Sequence, residues 1–282
     1  MNILITNTSL NTLGGSENWC LTMAKSLIGL GHNVFALSNN YGRMYKLMES
    51  VGVRKDCMAE YDLILANHPQ NIPGFKDKKG VKIQTVHSKY VSIERPIDFV
   101  DAHIAISGEI ADYFSISDII YNPVNLVDYT KNESAEPYIL CLCQNNVAAT
   151  NVKKYAKRMN IKFVHHSKWH NPISQEQLYK SMVDAEFVVG VGRGVYEAVS
   201  HGAKCVVYDT RDYDKNNLPY PLTREDFEKS LYGNFTGRAK VGKMTLDAAF
   251  VKSEFIKDDK FSGANIATQY LTKYIRICQD QD

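Results

Sequence analysis

The sequence predicts an α/β protein of two units, the first a doubly wound parallel sheet. Short apolar runs of strand length alternate with segments of helical period, and glycine-rich turns stand where strands pass into helices. A polar break near residue 128 separates one alternating series from the next. With 282 residues, 44% hydrophobic and 23% charged, the chain can bury a sizeable core.

Met1 to Ile5 reads as an apolar strand, followed by a loop to Gly15 and a helix carrying Trp19, Leu21, Met23, Leu27 and Leu30, ended by Gly29 and Gly31. His32 to Leu37 is the next strand, so the chain opens as a βαβ unit with a right-handed crossover. Arg43 to Ser50 is a helix, and strands follow at Leu63 to Ala66, Val81 to Val86, His103 to Ile106 and Ile119 to Tyr121. Six strands complete this domain.

The pattern changes at Asn122-Pro123-Val124, and Asp128 to Glu136 has no apolar period, which marks a linker. Beyond it, strands are expected at Tyr138 to Cys143, Ile161 to His165, Phe187 to Val189 and Lys204 to Tyr208, with helices at Val152 to Met159, Ser174 to Ala185 and Val195 to His201. After a polar loop from Arg211 to Tyr220, helices read at Arg224 to Leu231, Leu246 to Phe255 and Ile266 to Ile277.

A net charge of +2 excludes a polybasic protein. No apolar run reaches the length of a membrane span, and Met1 to Leu10 has no cationic segment before an apolar one; neither membrane insertion nor secretion by an ordinary signal is expected. The six cysteines lie mostly in apolar runs, as reduced core thiols of a cytoplasmic protein do. Cys141-Leu142-Cys143 is expected to send one thiol to each strand face, and no Cys-x2-Cys partner completes a metal site. His165 and His166 face opposite ways at a strand end; with His170 they read as surface or cleft histidines, and no metal ligands are assigned.

Two loops carry unusual composition at positions where α/β sheets collect ligands, beyond the carboxyl ends of strands. Gly14-Gly15-Ser16-Glu17 opens the first helix and allows close approach to an anion or a sugar oxygen; the plainer alternative is a tight turn with Ser16 as N-cap. It matches neither a G-x-G-x-x-G nor a Walker loop. The second, Val189 to Ala198, has Gly190, Gly192 and Gly194 before a helix, with Arg193 as a fork of donors and Glu197 one turn in, where ribose hydroxyls would meet it.

GGSENWCLTMAKSLIGLGHNV, from Gly14 to Val34, resembles the opening segment of the retaining, GT4-type glycosyltransferases of the GT-B fold. VGVGRGVYEAVSHGAKCVVYD, from Val189 to Asp209, resembles their donor-binding segment. Weaker similarities lie in order between and beside them: Thr85-Val86-His87-Ser88, Ile104 to Ser107, Asn122 to Asn125 and Leu178 to Val188.

The resemblance implies two Rossmann-like domains facing across a cleft: 1–127 on the acceptor side, 128–264 binding the nucleotide sugar, and a helix at 265–282 crossing back to the first domain. It implies that Glu197 binds the donor ribose, that Gly190, Gly192, Arg193 and Gly194 surround the diphosphate, and that Gly14 and Gly15 close over it. His87 falls on the family's histidine beside the acceptor, orienting a hydroxyl or the transferred sugar; read as a lone residue it is equally a structural histidine. The implied reaction is metal-independent transfer from a UDP-sugar with retention, the leaving phosphate assisting deprotonation of the incoming hydroxyl, with no obligatory cofactor.

Two departures stand out. Val189 replaces a Glu that contacts the transferred sugar in the family, and Gln144 to Thr150 lacks the family's Arg and Lys, a gap that Arg193 would fill. They leave room for a smaller donor sugar and for a degenerate nucleotide-sugar-binding module; a nucleotide-sugar epimerase fits the architecture, but the Gly14 loop and the Asn122-Pro123-Val124 junction favour transfer.

The acceptor, a glycan, a lipid-linked glycan or a modified DNA base, is less marked. Residues 43–95 hold 10 basic against 6 acidic side chains, a segment suited to an anionic lipid, a phosphorylated glycan or nucleic acid, or to an ordinary solvated face. Tyr41, Tyr45 and Tyr90 lie in or beside it, as core or cleft-wall aromatics or as groups that wedge or stack on a base. Compact chains of this kind also resemble phage enzymes that glycosylate hydroxymethylated pyrimidines in DNA, which would act in the host cytoplasm.

Overall fold

Ile3, Leu4 and Ile5 are apolar in succession, a pattern that buries every side chain only when a strand is covered on both faces. All three are buried at the centre of a parallel sheet. The computed structural model describes residues 1–167, 173–211 and 218–281, and the chain divides into two units, residues 1–123 with 261–282, and residues 124–260. His170 and most of the loop after Arg211 lie outside the described residues.

The first unit runs β1 (Asn2–Thr6), β2 (Ser9–Leu10), α1 (Gly15–Gly29), β3 (Asn33–Leu37), β4 (Asn40–Tyr41), α2 (Arg43–Glu49), β5 (Arg54–Lys55), β6 (Glu60–Ala66), β7 (Lys79–Val86), β8 (Ala102–Ala105), α3 (Gly108–Phe114) and β9 (Asp118–Ile119). Its main sheet has the order β5-β3-β1-β6-β7-β8-β9 and is parallel throughout. Seven strands replace the six expected, because β5 is a two-residue edge strand too short to leave an apolar signature. Gly14, not Ser16, is the N-cap of α1. Trp19, Met23 and Leu27 of α1 are fully buried in the core that its helix shares with β1, β3 and β6.

In the second unit come β10 (Tyr138–Cys141), α4 (Asn146–Arg158), β11 (Lys162–His165), α5 (Gln175–Asp184), β12 (Phe187–Gly190), α6 (Arg193–Ser200), β13 (Ala203–Val207), β14 (Tyr220–Pro221), α7 (Phe227–Tyr232), α8 (Leu246–Lys252) and β15 (Phe255–Ile256). Strands β11-β10-β12-β13 are parallel, with β14 and β15 antiparallel to β13. Asn145 caps α4 by accepting from Val147 N at 2.7 Å, so that helix starts six residues before the Val152 expected. A capping box between Ser174 and Gln177 starts α5 where the sequence places it.

Cys141 and Cys143 share one core, which corrects the expectation of opposite faces. Strand side chains repeat every two residues, so positions i and i+2 point the same way. Leu142 takes the other face, where it packs against Gly190 and Gly194.

The final helix, α9 (Gly263–Gln281), belongs to the first unit: Ile266, Ala267 and Tyr270 are buried in the core around α1, and Tyr270 Oη is 2.8 Å from Thr85 Oγ1 of β7. Among the described residues no helix is long and apolar enough to cross a membrane.

Candidate functional site

In a doubly wound sheet, the crevice lies where the strand order reverses. That point falls between β10 and β12 in the second unit, and the turn leaving β12 carries Gly190, Gly192, Arg193, Gly194 and Glu197 together. Gly192 caps α6 at φ 55° and ψ −126°, a conformation that only glycine adopts without strain. Its N–H donates to Phe235 O at 2.8 Å, so an anion at this turn would meet the amides of Arg193 and Gly194. A Cβ on Gly194 would stand 3.2 Å from Leu142 Cδ1, so the small residue also serves packing.

Arg193 and Glu197 are directed at each other. Arg193 Nε donates to Glu197 Oε1 at 2.9 Å along one helical turn, with both side chains largely buried. Burial pushes the Glu197 carboxyl above the usual carboxylate range, and the Arg193 guanidinium beside it partly opposes the shift. Tyr179 stacks on His201 at 4.4 Å between ring centroids, and His201 Nδ1 lies 2.8 Å from Glu197 O.

A second guanidinium sits at the same sheet edge, beyond β13. Buried Asp209 accepts from Arg211 Nε at 2.8 Å and Nη2 at 2.6 Å, and from Gly237 N at 3.0 Å, leaving the Arg211 fork rigid and about half exposed. The sequence reading passed over this pair, although an Asp two residues before an Arg at a strand end was visible there.

In the first unit the order reverses between β1 and β6. Asn7 follows β1, Asn67 follows β6, and His87 follows β7. Asn7 Nδ2 and Asn67 Nδ2 both reach Cys20 Sγ, at 3.7 and 3.3 Å, and Asn67 Oδ1 is 2.8 Å from His87 Nε2. The His87 ring stands perpendicular to Trp19 at 5.9 Å and 75° from His68 at the same distance. Cys20 is buried, which pushes its thiol up to about 12 against the lowering effect of the two amides; it stays a thiol.

His68 was not anticipated from the sequence. It is held at φ 49° and ψ 49°, its carbonyl accepting from Thr8 Oγ1 at 2.7 Å and its Nε2 lying 3.2 Å from Glu94 Oε1. Left-handed backbone on a non-glycine residue costs about 1–3 kcal/mol and collects at functional sites. The signal available in the sequence was Asn67-His68-Pro69 directly after an apolar strand.

At the start of α1, Glu17 folds back over Gly14, bonded by Thr12 Oγ1 at 2.9 Å and Ser16 Oγ at 3.1 Å, so a Cβ at Gly14 would overlap its carboxylate. Space around Gly15 is open. The basic segment does not form one patch. Lys76, Lys78, Lys79 and Lys82 lie at the amino end of β7 while Lys89 lies past its carboxyl end, roughly 23 Å of strand away. Lys89 Nζ sits 5.3 Å from the rings of both Tyr90 and Tyr113, which are about half exposed, and pairs with Glu109 at 2.9 Å. Tyr41 and Tyr45 instead meet Lys55 near the β5 edge. Among the described residues no three of His, Cys, Asp and Glu gather as metal ligands would.

No protein-family model and no curated protein sequence matches the chain. Solved structures do. A glycosyltransferase from Rickettsia africae is similar over 98% of this chain and 98% of its own, at 15% identity and a TM-score of 0.54. An alpha-glucosyltransferase in complex with UDP and a 13-mer DNA containing a central A:G mismatch is similar over 99% of this chain and 100% of its own, at 12% identity and a TM-score of 0.55. The chain has a GT-B fold. HepE of Anabaena, in complex with UDP and glucose, shares 14% identity over 73% of this chain and 80% of its own, with a TM-score of 0.51. In GT-B terms, the Gly192 turn and the His87 cluster each occupy the carboxyl edge of one of the two Rossmann-like units.

Proposed function

We propose that the chain is a glycosyltransferase, moving a sugar from a UDP-sugar to an acceptor hydroxyl with retention and without a metal. The observation that carries this reading is the Gly192 turn at the switch point of the second unit, which brings two helix amides, a guanidinium and a buried carboxylate to one strand end. UDP in the structures of two similar chains supports the choice of nucleotide.

In this reading Glu197 accepts hydrogen bonds from the ribose, and the amides of Arg193 and Gly194 face the diphosphate. Arg193 leaves Glu197 for the phosphate, a charge-assisted exchange that keeps both groups paired. As the glycosidic bond breaks, negative charge grows on the leaving phosphate, where fixed amides and guanidinium groups stabilise it without reorganising. His87 orients the hydroxyl or the transferred sugar.

A second reading of the acceptor, a hydroxymethylated pyrimidine in DNA, is favoured by likeness over full length to a chain in complex with DNA. The Lys89, Tyr90 and Tyr113 cluster, on the loop after His87 and on α3, suits stacking on a base displaced from its helix.

Thermal unfolding with a panel of nucleotides and nucleotide sugars tests the donor. A ligand at about 100 times its dissociation constant adds about 2.7 kcal/mol. UDP and one UDP-sugar are expected to stabilise the wild type and to lose that effect in Glu197→Ala; no response to any nucleotide would remove the donor assignment. Stabilisation without slow donor hydrolysis or transfer would select the binding module instead.

A further inference from the structure

We infer that Arg211 is a second phosphate-binding guanidinium of the donor site, held in place by Asp209, and that it takes the phosphate carrying the sugar. The inference rests on reading the Gly192 turn as the nucleotide-sugar site, and it adds the residue that separates a diphosphate from a monophosphate.

β12 and β13 run side by side and parallel, with Gly190 opposite Val207 as the last pair. Gly192 and Asp209 each stand two residues further on, at the ends of strands about 4.8 Å apart. The segment after α7 ties the two together: Phe235 O accepts from Gly192 N at 2.8 Å, and Gly237 N donates to Asp209 Oδ2 at 3.0 Å. Two residues of chain reach at most about 7 Å, so the Asp209 carboxylate lies beside the turn that opens α6. Asn234 and Phe235 both take left-handed backbone, at φ 57° and 48°, and Phe235 is fully buried against Tyr196, with ring centroids 4.8 Å apart. Non-glycine residues keep that conformation only where their surroundings fix it, so the tie is stiff.

The Asp209 side chain is 1% exposed and that of Arg211 48%, so the buried carboxylate anchors a guanidinium that reaches solvent. Nε and Nη2 of Arg211 donate to Asp209 along one edge of the planar group. Nη1 and the outer hydrogen of Nη2 form a second edge, turned away from Asp209, whose spacing matches two oxygens of one phosphate. An anion on that edge is nearer the guanidinium than the carboxylate, part of whose charge Gly237 N–H offsets, so attraction prevails. Arg193 has to leave Glu197 to reach a phosphate, whereas Arg211 takes one without giving up Asp209. No ion pair is broken and no buried carboxylate is stranded, which makes Arg211 the preorganised member of the two.

The test is titration calorimetry of the full chain with UMP, UDP and inorganic pyrophosphate. The wild type should bind UDP more tightly than UMP. Arg211→Gln should weaken UDP and pyrophosphate by about ten- to a hundredfold, the strength of a charge-assisted hydrogen bond, and leave UMP unchanged. Arg211→Lys, which keeps the charge without the fork, should recover only part of the loss. Asp209→Asn should likewise weaken UDP and spare UMP, whereas a merely structural role would lower both together. Should Arg211→Gln fail to fold because it strands Asp209, the double variant with Asp209→Asn removes that charge and gives the same comparison. A preference for UDP over UMP that persists in Arg211→Gln or the double variant would overturn this inference and leave the donor site at the Gly192 turn standing. A wild type that binds neither UMP nor UDP would remove the donor reading, and pyrophosphate then decides alone: binding lost in Arg211→Gln supports the anion subsite, and no binding, or binding kept in the variant, overturns it.

Discussion

Arg193 Nε lies 2.9 Å from Glu197 Oε1 within one turn of α6, so the two groups expected to hold a donor are each other's partners before it arrives. Removing one strands the other in a buried setting, a loss of about 3–5 kcal/mol for an ionised partner. Glu197 has its carboxyl raised by burial, and Arg193→Gln raises it further. A group raised on folding contributes stability below its unfolded value and loses it as pH rises through the folded value. Urea unfolding of Arg193→Gln should therefore show a larger deficit near about pH 8 than near about pH 5, and adding Glu197→Gln should flatten that difference. Equal deficits at both pH values would contradict the pairing.

Gly192 and Gly194 should separate in a pair of alanine variants. Gly192→Ala forces a side chain into φ 55° and should cost about 1–3 kcal/mol along with nucleotide binding. Gly194→Ala meets one methyl of Leu142 at 3.2 Å and should cost less, the loss recovered by Leu142→Ala. Comparable midpoints in thermal unfolding would show that the turn tolerates a Cβ.

Tyr270 joins α9 to β7 through Thr85 Oγ1 and to α1 through Trp19, with ring centroids 5.6 Å apart. Tyr270→Phe should cost about 1 kcal/mol, the worth of one buried hydrogen bond, and Tyr270→Ala about 3–5 kcal/mol from the cavity. Denaturant midpoints give both values, and a silent Tyr270→Ala would mean that α9 is dispensable.

Thiol chemistry should follow burial. Cys57 is exposed and Cys278 intermediate, whereas Cys20, Cys141, Cys143 and Cys205 are buried, and burial pushes the Cys20 and Cys205 thiols up to about 12. Timed labelling of the native chain should give one fast site, lost in Cys57→Ser; rapid modification of Cys20 would argue that α1 opens readily.

The alternation of strands and helices was legible because it depends on local apolar period, and the β12 turn because glycine, Arg193 and Glu197 crowd into eight residues. Edge strand β5, whose two residues are Arg54 and Lys55, carries no such period. The His87 cluster was legible only at His87. Its other members, Cys20, Asn67, His68 and Glu94, are brought in by three further segments, and only the sheet order makes them neighbours. The basic run 43–95 stayed open between an anionic partner and a solvated face for the converse reason: residues close in sequence are parted by the length of β7.

The return of α9 sets an order of assembly. Thr85 and Tyr270 are 185 residues apart, while the second unit is one uninterrupted stretch, 124–260. A chain leaving the ribosome makes the amino-terminal sheet first, yet the Tyr270 ring that packs on Trp19 is missing until residues beyond 261 emerge. The second unit has all its residues once 260 has been made, whereas the core places that Ile266, Ala267 and Tyr270 fill in the first unit close only when α9 has followed.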